Sequence, residues 1–355
     1  MKSTSKLPPG GTLKEGFAFL KNGILGSHMW IVLRGSLMLP VLIIVILLSG
    51  CGGRNFAMPY DVSNDLAAFK MFDILDDVPT ARPFAADLAV VPGDIIGTVN
   101  NDIMFAAGAA LFATDDKTVL YAKNVYERLS PASLAKIMTA LVALKYGTID
   151  MHIEASSNVN ISEARAQTVG LERGDRLTLS QALHLSLISS ANDAAIMVAE
   201  GVAGTVEEFV LLMNREARLL GATNTNFMNP HGLTHEDQYS TIYDMYLILN
   251  AAIKFDAFNQ IISLDSYTTT YYRANGAARE LSILNTNQYL HGTHEVPNGV
   301  IMIGGKTGTT QAAGHCLAIV AKDESGKTYL SVIMRAESRD EVYGQTSELL
   351  RQIGN

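Results

Sequence analysis

The chain has 355 residues, 48% of them hydrophobic and 17% charged, enough apolar material for a packed core and a length that allows one or two domains. Its 27 Lys and Arg against 35 Asp and Glu give a formal charge of −8; without the first fifty residues, which hold Lys2, Lys6, Lys14, Lys21, Arg34 and Glu15, the balance is 22 against 34, or −12. That excess of acid excludes nucleic acid as a partner, because binding a polyanion depends on neutralising phosphates with basic side chains.

At the N-terminus, Gly35 to Leu47 form a short apolar run behind Arg34, closed by Leu48-Ser49-Gly50-Cys51. This is the shape of an export signal. It resembles a bacterial lipobox, in which Cys51 is lipidated and becomes the mature N-terminus, so residues 1–50 are expected to be a signal segment. The alternative is an uncleaved membrane anchor, but a run broken by Pro40 is short of the roughly 20 residues a span needs. The 34 residues ahead of the run are either a cytoplasmic overhang or lie upstream of a true start at Met29. With Cys51 lipidated, Cys316 is the only cysteine left and no intramolecular disulfide is expected. Cys316 lies in an apolar stretch reaching Val320 and reads as a buried small hydrophobe. Residues 51–101 carry Pro59, Pro79, Pro83 and Pro92 with weak periodicity and read as a tether for a catalytic domain at residues 102–355.

Within that domain, Ala109–Ala113 and Val119–Tyr121 read as two strands about the turn Asp115-Asp116-Lys117. A helix follows: Leu134, Ile137, Met138, Ala140, Leu141 and Leu144 keep helical spacing, and Pro131 suits its first turn. Ser133 and Lys136, three apart, then share a face, and the helix N-terminus supplies a positive field where an oxyanion would form. An S-x-x-K string alone is weak evidence, since about one or two arise by chance in a chain this long, and Ser3 to Lys6 is another. Helices are expected to continue to about Ala252. Among them the amphipathic run Leu179 to Ile188 leads to Ser190-Ala191-Asn192, a lead that the second S-x-N string, Ser156-Ser157-Asn158, lacks. Ser190, Asn192 and Asp193 would otherwise read as a turn or helix end.

Strand signals return at Tyr267–Tyr272, Val300–Ile303, Leu317–Ala321 and Tyr329–Met334, and a last helix starts at about Glu341. The strand from Val300 runs into Lys306-Thr307-Gly308-Thr309. A phosphate loop of the Walker type is excluded, because Val300 stands where it requires glycine.

The three strings supply a nucleophile, a base and an anion-binding edge. A lysine is a poor base at neutral pH, with an ordinary pKa of about 10.4; burial and a second cation, here Lys306, would lower it. Ser133 is then the activated nucleophile, Ser190 relays a proton toward the leaving amine, and Asn192 holds the substrate amide and the Lys136 head group. Gly308 lets a substrate backbone lie flat on the strand edge. The N–H groups of Ser133 and Thr309 would form an oxyanion hole, such donors being worth about 3 to 4 kcal/mol each, while Lys306, Thr307 and Thr309 hold a substrate carboxylate. His231 and His235 are four apart, but Pro230 and Gly232 argue against the helix that a metal pair needs. No metal and no cofactor is expected.

From about Gly108 to its end the chain resembles the serine D-alanyl-D-alanine carboxypeptidases, the low-molecular-mass penicillin-binding proteins of the peptidase S11 type. The resemblance is carried by Leu129 to Thr139, Ser190-Ala191-Asn192-Asp193-Ala194, Asn229-Pro230-His231-Gly232-Leu233, Tyr239-Ser240-Thr241, Tyr243-Asp244-Met245, Asn285-Thr286-Asn287, Lys306-Thr307-Gly308-Thr309 and Ala313-Gly314-His315-Cys316. Ala191 stands where the family often has glycine. The resemblance implies an α+β fold of the β-lactamase/transpeptidase type, an antiparallel sheet flanked by helices with an all-helical subdomain, which strands at both ends around a helical middle also suit. It implies peptidoglycan stem peptides as substrate, β-lactams as covalent inhibitors, and an exported enzyme at the outer face of the cytoplasmic membrane or in the periplasm. It also implies an arginine past the last core strand, Arg335 or Arg339, for the substrate carboxylate. Only 46 residues follow Thr309, so the β-rich second domain and C-terminal anchor of many family members are not expected, and attachment would fall to a lipid on Cys51.

Three hypotheses fit these residues, the first in two forms. A carboxypeptidase releases terminal D-Ala; a D,D-endopeptidase cutting crosslinks would use the same side chains. A β-lactamase would need a Glu-x-x-x-Asn string between S-x-N and K-T-G, and the stretch from Glu200 ends in Gly204. A non-hydrolytic sensor of β-lactams or wall peptides would need an output domain that cleavage before Cys51 would sever.

Overall fold

A computed structural model of the chain describes residues 87–96, 99, 104–164 and 166–353. The expected signal segment, the lipobox with Cys51 and most of the expected tether lie outside the described residues. In chain order the first half holds β1 (Gly108–Ala113), β2 (Thr118–Lys123), α1 (Ala135–Tyr146), β3 (His152–Glu154), β4 (Arg176–Thr178), α2 (Leu179–Ile188), α3 (Asn192–Ala203) and α4 (Val206–Leu219). The second half holds α5 (Ile242–Ala252), α6 (Asp256–Ile262), β5 (Ser266–Tyr272), β6 (Ala278–Leu284), β7 (Val300–Thr310), β8 (Gly314–Asp323), β9 (Thr328–Ala336) and α7 (Arg339–Leu350). An antiparallel five-stranded sheet runs β2-β1-β9-β8-β7, and a smaller antiparallel sheet runs β3-β4-β5-β6.

The large sheet is covered on both faces, and the strand period of two shows it residue by residue. Ala110, Phe112, Ala318, Val320, Leu330 and Val332 face one apolar cluster, shared with α1 and α5. Ala109, Leu111, Leu317, Ile319, Tyr329 and Ile333 face the other, which α7 closes with Val342, Tyr343, Leu349 and Leu350. All of β1 is therefore buried, which is why these strands read as unbroken apolar runs in the sequence. α1 is buried from Ala135 through Ala143, Lys136 and Thr139 included, so it is a core helix enclosed on every side rather than a surface helix with one apolar stripe.

Residues 87–96, inside the stretch expected to be a tether, are bound to the catalytic unit. Ile95 exchanges backbone hydrogen bonds of 2.7 Å with Ala122 of β2. Ala89 is fully buried, its N–H donating to the Tyr246 hydroxyl and its carbonyl accepting from Tyr243, both at 3.0 Å. Those tyrosines belong to an aromatic group in which Tyr246 stacks on Phe112 at 3.9 Å. The sequence also gave no sign of β3, β4 and β6: the first two are three residues long, too short for a period to register. No helix among the described residues is long and apolar enough to cross a membrane.

Candidate active site

Ser133 lies in a single 3-10 turn, Ala132–Leu134, that leads directly into α1, rather than in the α-helix expected from Pro131 onward. Ala132 has φ 46°, a left-handed conformation that costs a residue with a Cβ about 1 to 2 kcal/mol. Two glycines press against the turn. A Cβ on Gly232 would sit 1.9 Å from the Ala132 carbonyl oxygen, and one on Gly308 would sit 3.1 Å from the Ser133 nitrogen. Gly308, expected to leave room for a substrate backbone, is thus needed first to let β7 approach the Ser133 turn. Strain held in place by its surroundings is typical of functional sites.

Lys136 is fully buried. Its Nζ lies 3.0 Å from Ser133 Oγ, 2.6 Å from Asn192 Oδ1 and 2.6 Å from the carbonyl oxygen of His231. Burial, and then the charge of Lys306, hold its pKa well below the ordinary lysine value, with Asp193 pulling the other way. Lys306 is buried too, and burial takes it down to about 7. Its Nζ donates to the Thr307 carbonyl at 2.8 Å.

Ser190 and Asn192 sit where α2 hands over to α3. α2 opens on a capping box between Thr178 and Gln181, and α4, α5 and α7 are capped by Thr205, Thr241 and Ser338. α1 and α3, whose first turns carry Lys136 and Asn192, have no side-chain cap. Ser190 has φ 63°, and Ala191, the departure from the family pattern, is fully buried. The next residue, Asp193, fastens the neighbouring loop: the N–H groups of Val169, Gly170 and Leu171 each donate to its Oδ2 at 3.0 Å. Arg279 of β6 holds the same loop by its carbonyls, donating to Gly170 at 2.8 Å. The Asn192 N–H donates to Gln167 at 2.8 Å. Thr286 joins this region to β7, its N–H donating to Ile188 at 3.0 Å and its hydroxyl accepting from Thr307 at 2.6 Å.

The competing strings have other work. Ser156 Oγ accepts from the Asn158 N–H, capping a short 3-10 turn, and both side chains donate to Glu200 Oε1. His231 and His235 each accept a backbone N–H at Nδ1, from Leu233 and Asp237 at 3.2 and 3.1 Å, as turn residues. Burial pushes the Cys316 thiol up to about 12, which leaves it protonated and unreactive. Arg335 and Arg339 are both exposed; the charge of Arg339 acts on His315, whose Nδ1 lies 3.2 Å from Thr309 Oγ1. Asp193, Gly232, Thr286, His315 and the His231 carbonyl took no part in the chemistry read from the sequence, although each lies in a string that carries the family resemblance.

The model of the peptidase S11 family, D-alanyl-D-alanine carboxypeptidase, matches residues 98–338. The chain belongs to this carboxypeptidase family. It is 34% identical over 250 residues to the D-alanyl-D-alanine carboxypeptidase DacF of Bacillus subtilis, covering 69% of this chain and 61% of that one. It is 32% identical to a D-alanyl-D-alanine endopeptidase of Pseudomonas aeruginosa, covering 60% and 66%. The chain thus spans about three fifths of the length of the DacF carboxypeptidase. Among solved structures, the Streptomyces K15 DD-transpeptidase superposes with a TM-score of 0.64 at 27% identity, covering 74% of this chain and 98% of that one. The α+β arrangement expected from the sequence is the fold this carboxypeptidase-family member shares with that transpeptidase.

Proposed function

We propose that the chain is a serine-type D-Ala-D-Ala carboxypeptidase that trims peptidoglycan stem peptides through an acyl-enzyme on Ser133. The three contacts of Lys136 Nζ carry this reading. Asn192 Oδ1 and the His231 carbonyl can only accept hydrogen bonds. A neutral amine has two N–H groups to give and one lone pair, so with both N–H groups given to those oxygens the lone pair is left facing the Ser133 hydroxyl. Burial and Lys306 favour that neutral form.

Ser133 Oγ attacks the carbonyl carbon of the penultimate D-Ala and passes its proton to Lys136. The oxyanion is met by the N–H groups of Ser133 and Thr309, brought near each other by the approach of Gly308 to the turn. As the C–N bond breaks, the proton moves from Lys136 through Ser190 to the departing amine. Water then takes the place of D-Ala and hydrolyses the ester. Lys306, Thr307, Thr309 and Arg339 would hold the substrate carboxylate; Arg339 is preferred to Arg335 because its charge reaches His315 beside Thr309. β-Lactams would acylate Ser133 in the same way. The stretch from Glu200 has Gly204 where the Glu-x-x-x-Asn string of a deacylating base needs asparagine, which favours slow release of such drugs over a β-lactamase.

The test is to incubate the protein lacking residues 1–51 with purified muropeptides and identify products by mass. Loss of one D-Ala from pentapeptides is expected, with labelled penicillin recovered on the Ser133 peptide and Ser133→Ala devoid of both activities. Cleavage of crosslinked dimers with intact pentapeptides would make it an endopeptidase, and label on Ser190 would move the nucleophile.

The family's substrate lies outside the cytoplasm, and a lipid on Cys51 is the attachment we propose. A clickable fatty acid fed to the cells should label the wild type and not Cys51→Ala, two or three acyl chains being needed for stable anchoring. Equal labelling of both would point to an uncleaved anchor.

A further inference from the structure

The string Ala313-Gly314-His315-Cys316 is not used by the chemistry above, yet the backbone around it is arranged at some cost. Gly314 has φ 61°, and a Cβ there would meet the Ala336 carbonyl oxygen at 2.6 Å. On β9 the ladder gains one residue: His315 faces Ala336, but Leu317 faces Ile333. Arg335, inside this bulge, has φ 62°. Such a bulge bends the strand that carries it, here beside the end of β8 that holds His315. It stands opposite Thr309 across the β7–β8 pair, with Nδ1 3.2 Å from the Thr309 hydroxyl.

We propose that His315 determines how strongly this enzyme binds the carboxylate of its substrate, by directing the Thr309 hydroxyl, and that its protonation makes that binding pH-dependent. The inference rests on the carboxypeptidase reading. Thr309 has one hydroxyl proton, which can go to His315 or to a substrate carboxylate but not to both. When Nδ1 carries a hydrogen it donates to Thr309 Oγ1, and the hydroxyl proton turns to the anion. A protonated ring always has that hydrogen and adds a positive charge beside the substrate; a neutral ring can instead take the Thr309 proton and turn the oxygen's lone pairs toward the anion, which repels it.

The groups facing His315 are Thr309 from β7, Ala336 from β9, and Arg339 and Glu341 from α7. Burial and Arg339 lower its pKa below the ordinary 6.5, against Glu341. A bound carboxylate favours the charged ring and raises that pKa. By linkage, affinity is greatest below the free-enzyme pKa and weakens as pH rises from there toward the pKa of the complex. Lys306, which loses its proton at about 7, adds a second weakening at higher pH that is independent of His315.

The experiment measures kcat and KM for a D-Ala-D-Ala-terminated peptide with a free carboxylate between pH 5 and 8, in the full protein and in His315→Gln and Thr309→Val. For the wild type, KM should rise roughly 3- to 10-fold below pH 7, a change of up to about one pKa unit. In His315→Gln that rise disappears while the one above pH 7 stays, and the change falls on KM rather than on kcat. In Thr309→Val, KM is higher throughout and its rise below pH 7 is smaller than in the wild type, because only the charge of the ring is left to act. A wild-type KM that is flat below pH 7, or a rise that persists in His315→Gln, would overturn the proposal. Acylation by benzylpenicillin, which carries its own carboxylate, is measured over the same range. If no peptide is cleaved but penicillin acylation still shows the His315-dependent limb, the carboxypeptidase reading fails and the role of His315 stands; if acylation lacks the limb, the role of His315 fails.

Discussion

Lys136→Arg should lower the rate of Ser133 acylation by roughly 100- to 10,000-fold, the usual contribution of a positioned general base. The substitution keeps the ability to donate to Asn192 Oδ1 and the His231 carbonyl, but arginine does not give up its proton and has no lone pair for the serine. The measurement is the second-order rate of penicillin acylation, alongside a melting curve to show that the larger head group has not unfolded the buried site. For the wild type the same rate should rise with pH as Lys136 loses its proton, at a pH well below that of an ordinary lysine. Near pH 7, loss of the Lys306 charge that receives the carboxylate should oppose that rise. An arginine variant that acylates within a few-fold of the wild type would place the base elsewhere.

Gly232→Ala should be nearly as damaging, although Gly232 touches no reacting atom. At φ 87° an alanine costs about 1 to 2 kcal/mol in conformation alone, and its Cβ would lie 1.9 Å from the Ala132 carbonyl oxygen. Either the Ser133 turn moves or the His231–Gly232 loop does, and the second choice withdraws the carbonyl that accepts from Lys136. We expect acylation to fall by roughly 100-fold, as sub-ångström misplacement of reacting groups commonly does. Gly276→Ala is the control. It has φ 80° with nothing within 4 Å of its Cβ, so it should bear the same backbone cost without the clash and keep full acylation. Equal acylation by both variants would refute the claim that Gly232 positions the nucleophile.

What the sequence disclosed and what it withheld follow from how each element is built. β1, β8 and β9 were legible because both faces are covered and their central runs, Ala109–Ala113, Leu317–Ala321 and Tyr329–Met334, are apolar apart from the buried Ser331. β7 was seen only as far as Ile303, since its later half is recognised by its chemistry and not by hydrophobicity, while the ladder with β8 carries it on to Thr310. The pair Ser133 and Lys136 could be placed on one face because their spacing is local. The carbonyl of His231, 95 positions from Lys136, could not, because a backbone acceptor leaves no trace in side-chain identity. Asp193 was visible as a residue but not as the clamp on the Val169–Leu171 loop, a partnership set by tertiary contact alone. His315 was likewise quoted without a role, since its place opposite Thr309 is set by the register of β7 on β8.

The strand order β2-β1-β9-β8-β7 also governs how late in the chain the sheet can close. β1 meets β2 within a few residues, but its other neighbour is β9, and Gly108 pairs with Met334, 226 positions later. β7 reaches β1 only through β8 and β9. A chain emerging residue by residue therefore makes Ser133 early and the strand that faces it late, and the sheet that carries that strand closes on β1 only with β9. Such long-range pairing folds slowly. Its consequence is temporal: the edge strand with Lys306 to Thr309 joins the sheet of β1 only once the last strand is in place.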